Sequence, residues 1–187
     1  MFGRSGFSAR QDQRRFRGQD LHATLTLDLK DVYQTQKQTI TLNGKSIRIT
    51  IPAGVSDGQE IKIKGHGGPG VNGGPGGDLY IKFNLVNNSP FMRDGNDLHR
   101  KEEIDLYTAI LGGPIVVTTF DGKKVKLKVA PGTQNGTKVK LTGKGFPVYK
   151  REGQFGDLIL TFQVLIPSAL SVEERELFEK LAKLNRK

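Results

Sequence analysis

Few residues of this 187-residue chain could do chemistry by type. His22, His66 and His99 are its only imidazoles, and none stands at a metal-ligand spacing such as the i, i+4 pair of a zinc-binding helix. Cysteine is absent, so neither thiolate-bound zinc nor a disulfide framework can hold small modules together. Glu102, Glu103 and Asp105 are close in sequence, yet strand alternation sends Glu103 and Asp105 to one face and Glu102 to the other. Gly44-Lys45-Ser46 has the form of the end of a phosphate-binding loop, but Thr39 stands where that loop needs its first glycine, and a strand pattern rather than a helix follows. The run from Gly65 to Gly77 could offer backbone amides to an anion, although a lone glycine-rich run between strands reads as a loop. With no nucleophile and base pair and no acid pair, the expectation is a binding protein, not an enzyme, with no metal or other cofactor.

Binding surfaces need elements to carry them. Twenty-four glycines and eight prolines without a collagen period imply many short elements joined by turns. Leu21, Ala23, Leu25, Leu27 and Leu29 alternate strictly and share one face of a strand. Thr39 to Leu42 and Lys45 to Ile51 flank Asn43-Gly44, the two-residue signature of a type I′ hairpin, and that turn puts Ile40 opposite Ile47.

A shift of 78 positions then lays Gly44, Gly54, Gly58, Gly65, Gly67 and Pro69 on Gly122, Gly132, Gly136, Gly143, Gly145 and Pro147. It also lays Ile47, Ile49, Ile51, Ile61 and Ile63 on Val125, Leu127, Val129, Val139 and Leu141, while Asp20-Leu21-His22 recurs as Asp97-Leu98-His99. Turn glycines and strand faces that repeat together indicate two copies of one β-module. Beyond Pro167, Ser171 and Glu174 form a capping-box pattern, and Leu177, Phe178, Leu181 and Leu184 follow at helical spacing, which predicts one amphipathic helix over about residues 171 to 185. The fold class expected is mainly β: two tandem β-sandwich-like modules followed by a short C-terminal amphipathic helix. The boundaries read as a flexible linker at 1–19, a first domain at 20–96, a second at 97–168 and a terminal helix segment at 169–187.

The net charge of +10 favours acidic partners. No run approaches the roughly 18 apolar residues of a membrane span, and the basic start lacks an apolar signal segment, so a cytoplasmic protein is expected.

The segments Ile51-Pro52-Ala53-Gly54-Val55-Ser56-Asp57-Gly58, Lys64-Gly65-His66-Gly67-Gly68-Pro69, Gly76-Gly77-Asp78-Leu79-Tyr80, Phe91 to Leu98 and Ala109-Ile110-Leu111-Gly112-Gly113 closely resemble the C-terminal substrate-binding region of DnaJ-family co-chaperones. The resemblance runs from about Gln19 to the end, and within the family it is nearest the type without a zinc insert, in particular the curved-DNA-binding protein A group. It implies a groove in the first module that accepts extended segments of unfolded clients and the acidic C-terminal tail of a DnaK-type chaperone. By position that groove falls on Ala23, Leu25, Ile40, Leu42 and Phe91, with Lys37 and Lys45 placed to meet acidic residues. It further implies a homodimer formed through Leu177, Phe178, Leu181 and Leu184. Without the resemblance, alternating leucines read as core.

The family's J-domain has no counterpart, since none of the three histidines precedes Pro-Asp; a fragment unable to stimulate a DnaK-type ATPase is expected. The competing reading is a nucleoid-associated, curved-DNA-binding protein, motivated by the charge and by those relatives. Against it stands the absence of a recognition helix and of aromatic residues interleaved with basic ones along a strand.

Overall fold

The computed structural model describes residues 14 to 185 except Asn43, together with the backbone but not the side chain of Lys45. Along the chain run β1 (Leu21–Asp28), β2 (Gln36–Leu42), β3 (Lys45–Ile51), β4 (Glu60–Ile63), β5 (Leu79–Val86), β6 (Met92–Asp94), β7 (Asp97–Asp105), α1 (Leu106–Leu111), β8 (Gly113–Thr118), β9 (Lys124–Val129), β10 (Lys138–Leu141), β11 (Leu158–Leu165) and α2 (Val172–Leu184). None of the described helices is long and apolar enough to cross a membrane.

The chain divides into two compact units. The first holds residues up to Val32, Gln36–Ile51 and Val55–Asn88; the second holds Tyr33–Thr35, Pro52–Gly54 and everything from Ser89 onward. In the first unit β5 is the middle of a three-stranded sheet ordered β1-β5-β4, parallel to β1 and antiparallel to β4. The hairpin β2–β3 forms a separate two-stranded layer. Ile40 pairs with Ile47 as the turn chemistry predicts, and Gly44 supplies a positive φ of 75°. The alternation of β5 buries Leu79, Ile81 and Phe83 completely, and Leu27, Ile49, Ile51 and Val55 complete that interior. Each such side chain stabilises the unit by about 1.5–3 kcal/mol relative to exposure.

The second unit repeats this plan. Its sheet is ordered β10-β11-β7-β6, with β7 parallel to β11, and β8–β9 is the covering hairpin. Ile104 of β7, Val129 of β9 and Phe162 of β11 pack into one cluster with Ile115 of β8 and Val139 of β10, so the hairpin's inner face lies on the sheet.

The duplication extends to single hydrogen bonds. The Gly65 and Gly143 amides donate to the carboxylates of Asp78 (2.8 Å) and Asp157 (3.0 Å). The Asp78 and Asp157 amides donate to Asp20 and Asp97, both at 2.7 Å. Gly58 and Gly136 each donate to the carbonyl of a buried phenylalanine, Phe83 or Phe162, at 2.8 Å.

Two boundaries differ from the repeat reading. β6 pairs antiparallel with β7 across Gly95, which has φ 59°, so residues 92–94 join the second unit's sheet and the compact division falls after Asn88. Residues 1–13 of the expected linker lie outside the described residues, but Phe16 to Gln19 are hydrogen-bonded to the loop between β4 and β5. That segment belongs to the first unit because its backbone polar groups have partners there.

The second copy inserts α1 between its first strand and its hairpin. Asp105 caps it by accepting from the Thr108 amide (2.8 Å) and hydroxyl (2.6 Å). The terminal helix forms where the periodicity predicts, with both halves of the capping box: the Ser171 amide donates to Glu174 at 2.7 Å and the Glu174 amide to Ser171 at 3.1 Å.

Candidate functional site

Ala23 and Leu25 lie on β1, half-buried, on the face that Leu27 continues into the core. Ile40 and Leu42 lie half-buried on β2. Among the described residues β1 pairs only with β5 and β2 only with β3, so both are edge strands with a row of backbone groups outside the ladders. Gln38 shares the face of Ile40, and its side-chain oxygen is buried without a hydrogen-bond partner.

The other expected groove residues are Lys37, Lys45 and Phe91. Lys37 is exposed on the opposite face of β2 from Ile40 and Leu42, as a period of two requires. Lys45 stands opposite Leu42 in the hairpin register, and its side chain lies outside the described residues. Phe91 belongs to the second unit, unlike the four aliphatic residues. It is 6% exposed, its ring edge-on to Phe120 at 5.3 Å with the Arg100 guanidinium 5.2 Å from its centroid. The family resemblance gives it by position as a groove residue; in the structure it is buried within the second unit.

Repeat equivalence separates the two copies chemically. The positions of Ala23 and Leu25 are taken in β7 by Arg100 and Glu102, and those of Ile40 and Leu42 by Thr118 and Phe120. Arg100 and Glu102 approach to 3.1 Å, and Arg100 donates to the Thr118 carbonyl at 2.8 Å. In the second unit a guanidinium thus reaches from β7 across to the edge of β8. Ala23, a single methyl, leaves the corresponding space in the first unit without a tether.

Sequence reasoning missed the cationic and aromatic packing of the second unit. Arg93 lies 3.9 Å over the Phe146 ring and donates to the carbonyls of Gly95 (2.8 Å) and Gly54 (3.1 Å), and burial lowers its pKa to about 10. Tyr33 packs on Phe120, Phe146 and Phe155 at 5.0, 5.5 and 5.9 Å, and its phenol is pushed up to about 12 by burial. No spacing in the sequence announces these contacts.

At the C-terminal end, Leu177, Phe178 and Leu181 of α2 line an apolar cavity of about 280 Å³ with Tyr107, Ile110 and Leu111 of α1. Tyr107 and Phe178 have ring centroids 6.3 Å apart. The patch stays largely open: Ile110, Leu111, Leu177 and Leu181 are each more than half exposed, and Leu184, outside the cavity lining, is 79% exposed. The α1 half was missed, although Asp105 three residues before Thr108 is a cap signal.

Candidate chemistry elsewhere is sparse. His22 is exposed and stacks on Tyr80 at 5.1 Å, and the described residues contain no cluster of three or more metal-ligating side chains. Glu103 and Asp105 are exposed while Glu102 faces inward, following the alternation.

Two copies of one sandwich, the first with Ala23, Leu25, Ile40 and Leu42 where the second carries Arg100, Glu102, Thr118 and Phe120, define a duplicated β-module. The family described as DnaJ C terminal domain matches residues 21–167, and the chain belongs to it. "Chaperone protein DnaJ" of Brucella anthropi is 44% identical over 141 residues, 75% of this chain and 37% of that relative. The protein of the same name from Bartonella quintana is 41% identical over the same share of each. The chain therefore spans little more than a third of the length of these relatives.

Proposed function

We propose that the chain is the client-binding part of a co-chaperone, holding extended segments of unfolded polypeptide along the β1 and β2 edges of the first unit. The observation that carries this reading is the contrast between the copies. Where the second unit has Arg100 bonded to the Thr118 carbonyl, the first has Ala23, Leu25, Ile40 and Leu42 on edge strands. A strand edge gives affinity through main-chain hydrogen bonds, and apolar side chains at alternate positions receive client side chains with little demand on sequence. The names of the relatives agree with a chaperone role.

The same reading assigns the acidic C-terminal tail of a DnaK-type chaperone to this unit, with Lys37 and Lys45 as its cationic neighbours. It makes the α1–α2 patch a homodimer contact through Leu177, Phe178, Leu181 and Leu184. Stimulation of the partner's ATPase is not assigned to these residues, which hold no His-Pro-Asp triplet.

The test uses two double variants. Replacing Ile40 and Leu42 by serine removes the apolar contacts, and replacing Ala23 by arginine with Leu25 by glutamate transplants the second unit's charged pair. Each is expected to weaken binding of an unfolded-peptide probe at least about tenfold, or about 1.4 kcal/mol. Thermal unfolding should change little, whereas truncating core positions costs about 2–5 kcal/mol each. A collapsed melting temperature in both, or full affinity in a folded variant, refutes the site.

Contact with nucleic acid is a second reading, favoured by one observation. Lys124, Lys126 and Lys128 are all exposed on the outer face of β9, where the equivalent positions of β3 are Ser46, Arg48 and Thr50.

A further inference from the structure

The loop between β4 and β5 carries eight glycines from Gly65 to Gly77, far more than a turn needs, and the segment before β1 runs against it. Phe16 and Val71 exchange two backbone hydrogen bonds, at 3.2 and 2.9 Å. The Gly18 amide donates to the Pro75 carbonyl at 2.9 Å, and the Gly68 amide to the Gln19 carbonyl at 2.7 Å. Arg17 adds charge, with one guanidinium nitrogen 2.7 Å from both Asp20 and Asp78, and Asn72 donates to the Arg14 carbonyl at 3.2 Å.

The second copy shows which part of this is general. There the Phe146 amide donates to Asn96, the counterpart of Gln19, at 2.7 Å, so the innermost contact is common to both modules. Beyond it the second loop closes on itself through a bridge between Pro147 and Phe155, with Val148 donating to Gln154 at 2.9 Å. The first loop's corresponding span pairs instead with Phe16.

Gly74 separates the two explanations for so much glycine. Its φ is outside the left-handed region, so its backbone conformation does not by itself call for glycine. A Cβ there would stand 2.1 Å from the Phe16 carbonyl oxygen and 2.7 Å from its carbon. On the facing side, a Cβ on Gly18, also outside that region, would stand 1.9 Å from the Gly68 oxygen. Glycine is required at both positions by the approach of two backbones.

We propose that this glycine-rich loop is a docking surface whose occupant is the chain's own segment Arg14–Gln19, which straps the N-terminal segment to the first unit and fixes where it enters. The partner it fits is an extended stretch carrying an aromatic residue, an arginine and a glycine in that order, as Phe16-Arg17-Gly18 does. The strap's backbone hydrogen bonds run to the glycine-rich loop, and its test is separate from that of the client edges proposed above.

Hydrogen exchange on the whole chain tests it through the amides of Phe16, Gly18 and Val71. In the unaltered chain these should exchange at least about tenfold more slowly than in an unstructured peptide, as paired amides do. Gly74→Ala should abolish that protection while the Phe83 amide in β5 stays protected. Gly73→Asn, whose Cβ enters open space at a positive φ that asparagine tolerates, should leave all of them unchanged. Unprotected Phe16 and Gly18 in the unaltered chain, or undiminished protection in Gly74→Ala, overturns the proposal. Should Gly74→Ala also unfold β5, Arg17→Gln decides: faster exchange at Phe16 and Gly18 supports the strap, and no change refutes it.

Discussion

Asp78 and Asp157 show how a residue type acquires its role from its position in the repeat. Each closes its module by joining the strand before it, the loop and a lysine: Lys62 at 2.8 Å from Asp78, Lys140 at 3.2 Å from Asp157. The Lys62 ammonium and the Gly65 amide hold the Asp78 carboxyl below its ordinary value, and the Gly143 amide and Lys140 do the same for Asp157. A carboxyl of about 3.9 in the unfolded chain that titrates lower in the folded one binds fewer protons there, so it adds stability above about pH 4 that is lost as pH falls through the lowered value. Thermal unfolding followed from neutral pH to about pH 2 should therefore show a steeper acid decline in the unaltered chain than in Asp78→Asn. Parallel curves would mean that Asp78 is not linked to folding. Phe91 shows the same dependence on position. A phenylalanine between two repeats can face either way, and the arginine that stacks on it comes from β7.

At the scale of elements, α2 is the informative case. A helix of 13 residues is marginal alone in water, and its capping box secures only the first turn, worth about 1 kcal/mol. Phe178 packs on Tyr107 within the same unit, yet Leu177, Leu181 and Leu184 remain 53, 58 and 79% exposed. Apolar residues of α1 widen that patch, and a contiguous apolar surface of this kind marks an interaction site. A two-fold contact, in which each copy offers the same patch, would cover it. Ending the chain after Pro167 should leave both sandwiches folded and give a monomer by light scattering at a concentration where the full chain is a dimer. An unchanged mass ratio between the two forms rules out the helix as the contact.

For the whole molecule, the charge of +10 bears on the competition between the two binding readings. Lysines at alternate positions of β9 stand about 6.8 Å apart, twice the axial phosphate spacing of one DNA strand. If they meet a phosphate backbone, affinity for duplex DNA should fall steeply as salt rises from about 50 to 200 mM. Changing Lys124, Lys126 and Lys128 together to glutamate should abolish it. Peptide binding along the apolar edges should change little over the same range, because screening acts on exposed charges and not on apolar burial. Salt-insensitive DNA binding, or a peptide affinity that tracks the DNA affinity, would contradict this separation.

The sequence by itself determined what is periodic or local. Matching glycines and alternating aliphatics specify two copies of a β-module, Asn43-Gly44 specifies the register that opposes Ile40 to Ile47, and Ser171 with Glu174 specifies the start of α2. These follow from backbone sterics and a two- or 3.6-residue period, which need no distant partner. The tertiary structure decided what depends on residues far apart in the chain. It made β1 and β5, and β7 and β11, parallel neighbours, brought Arg100 to the Thr118 carbonyl, drew Phe91 into the second unit's interior and brought Phe16 to Val71. Each is a pairing across tens of residues, selected by the burial and hydrogen bonding of the assembled unit, and no local pattern encodes it.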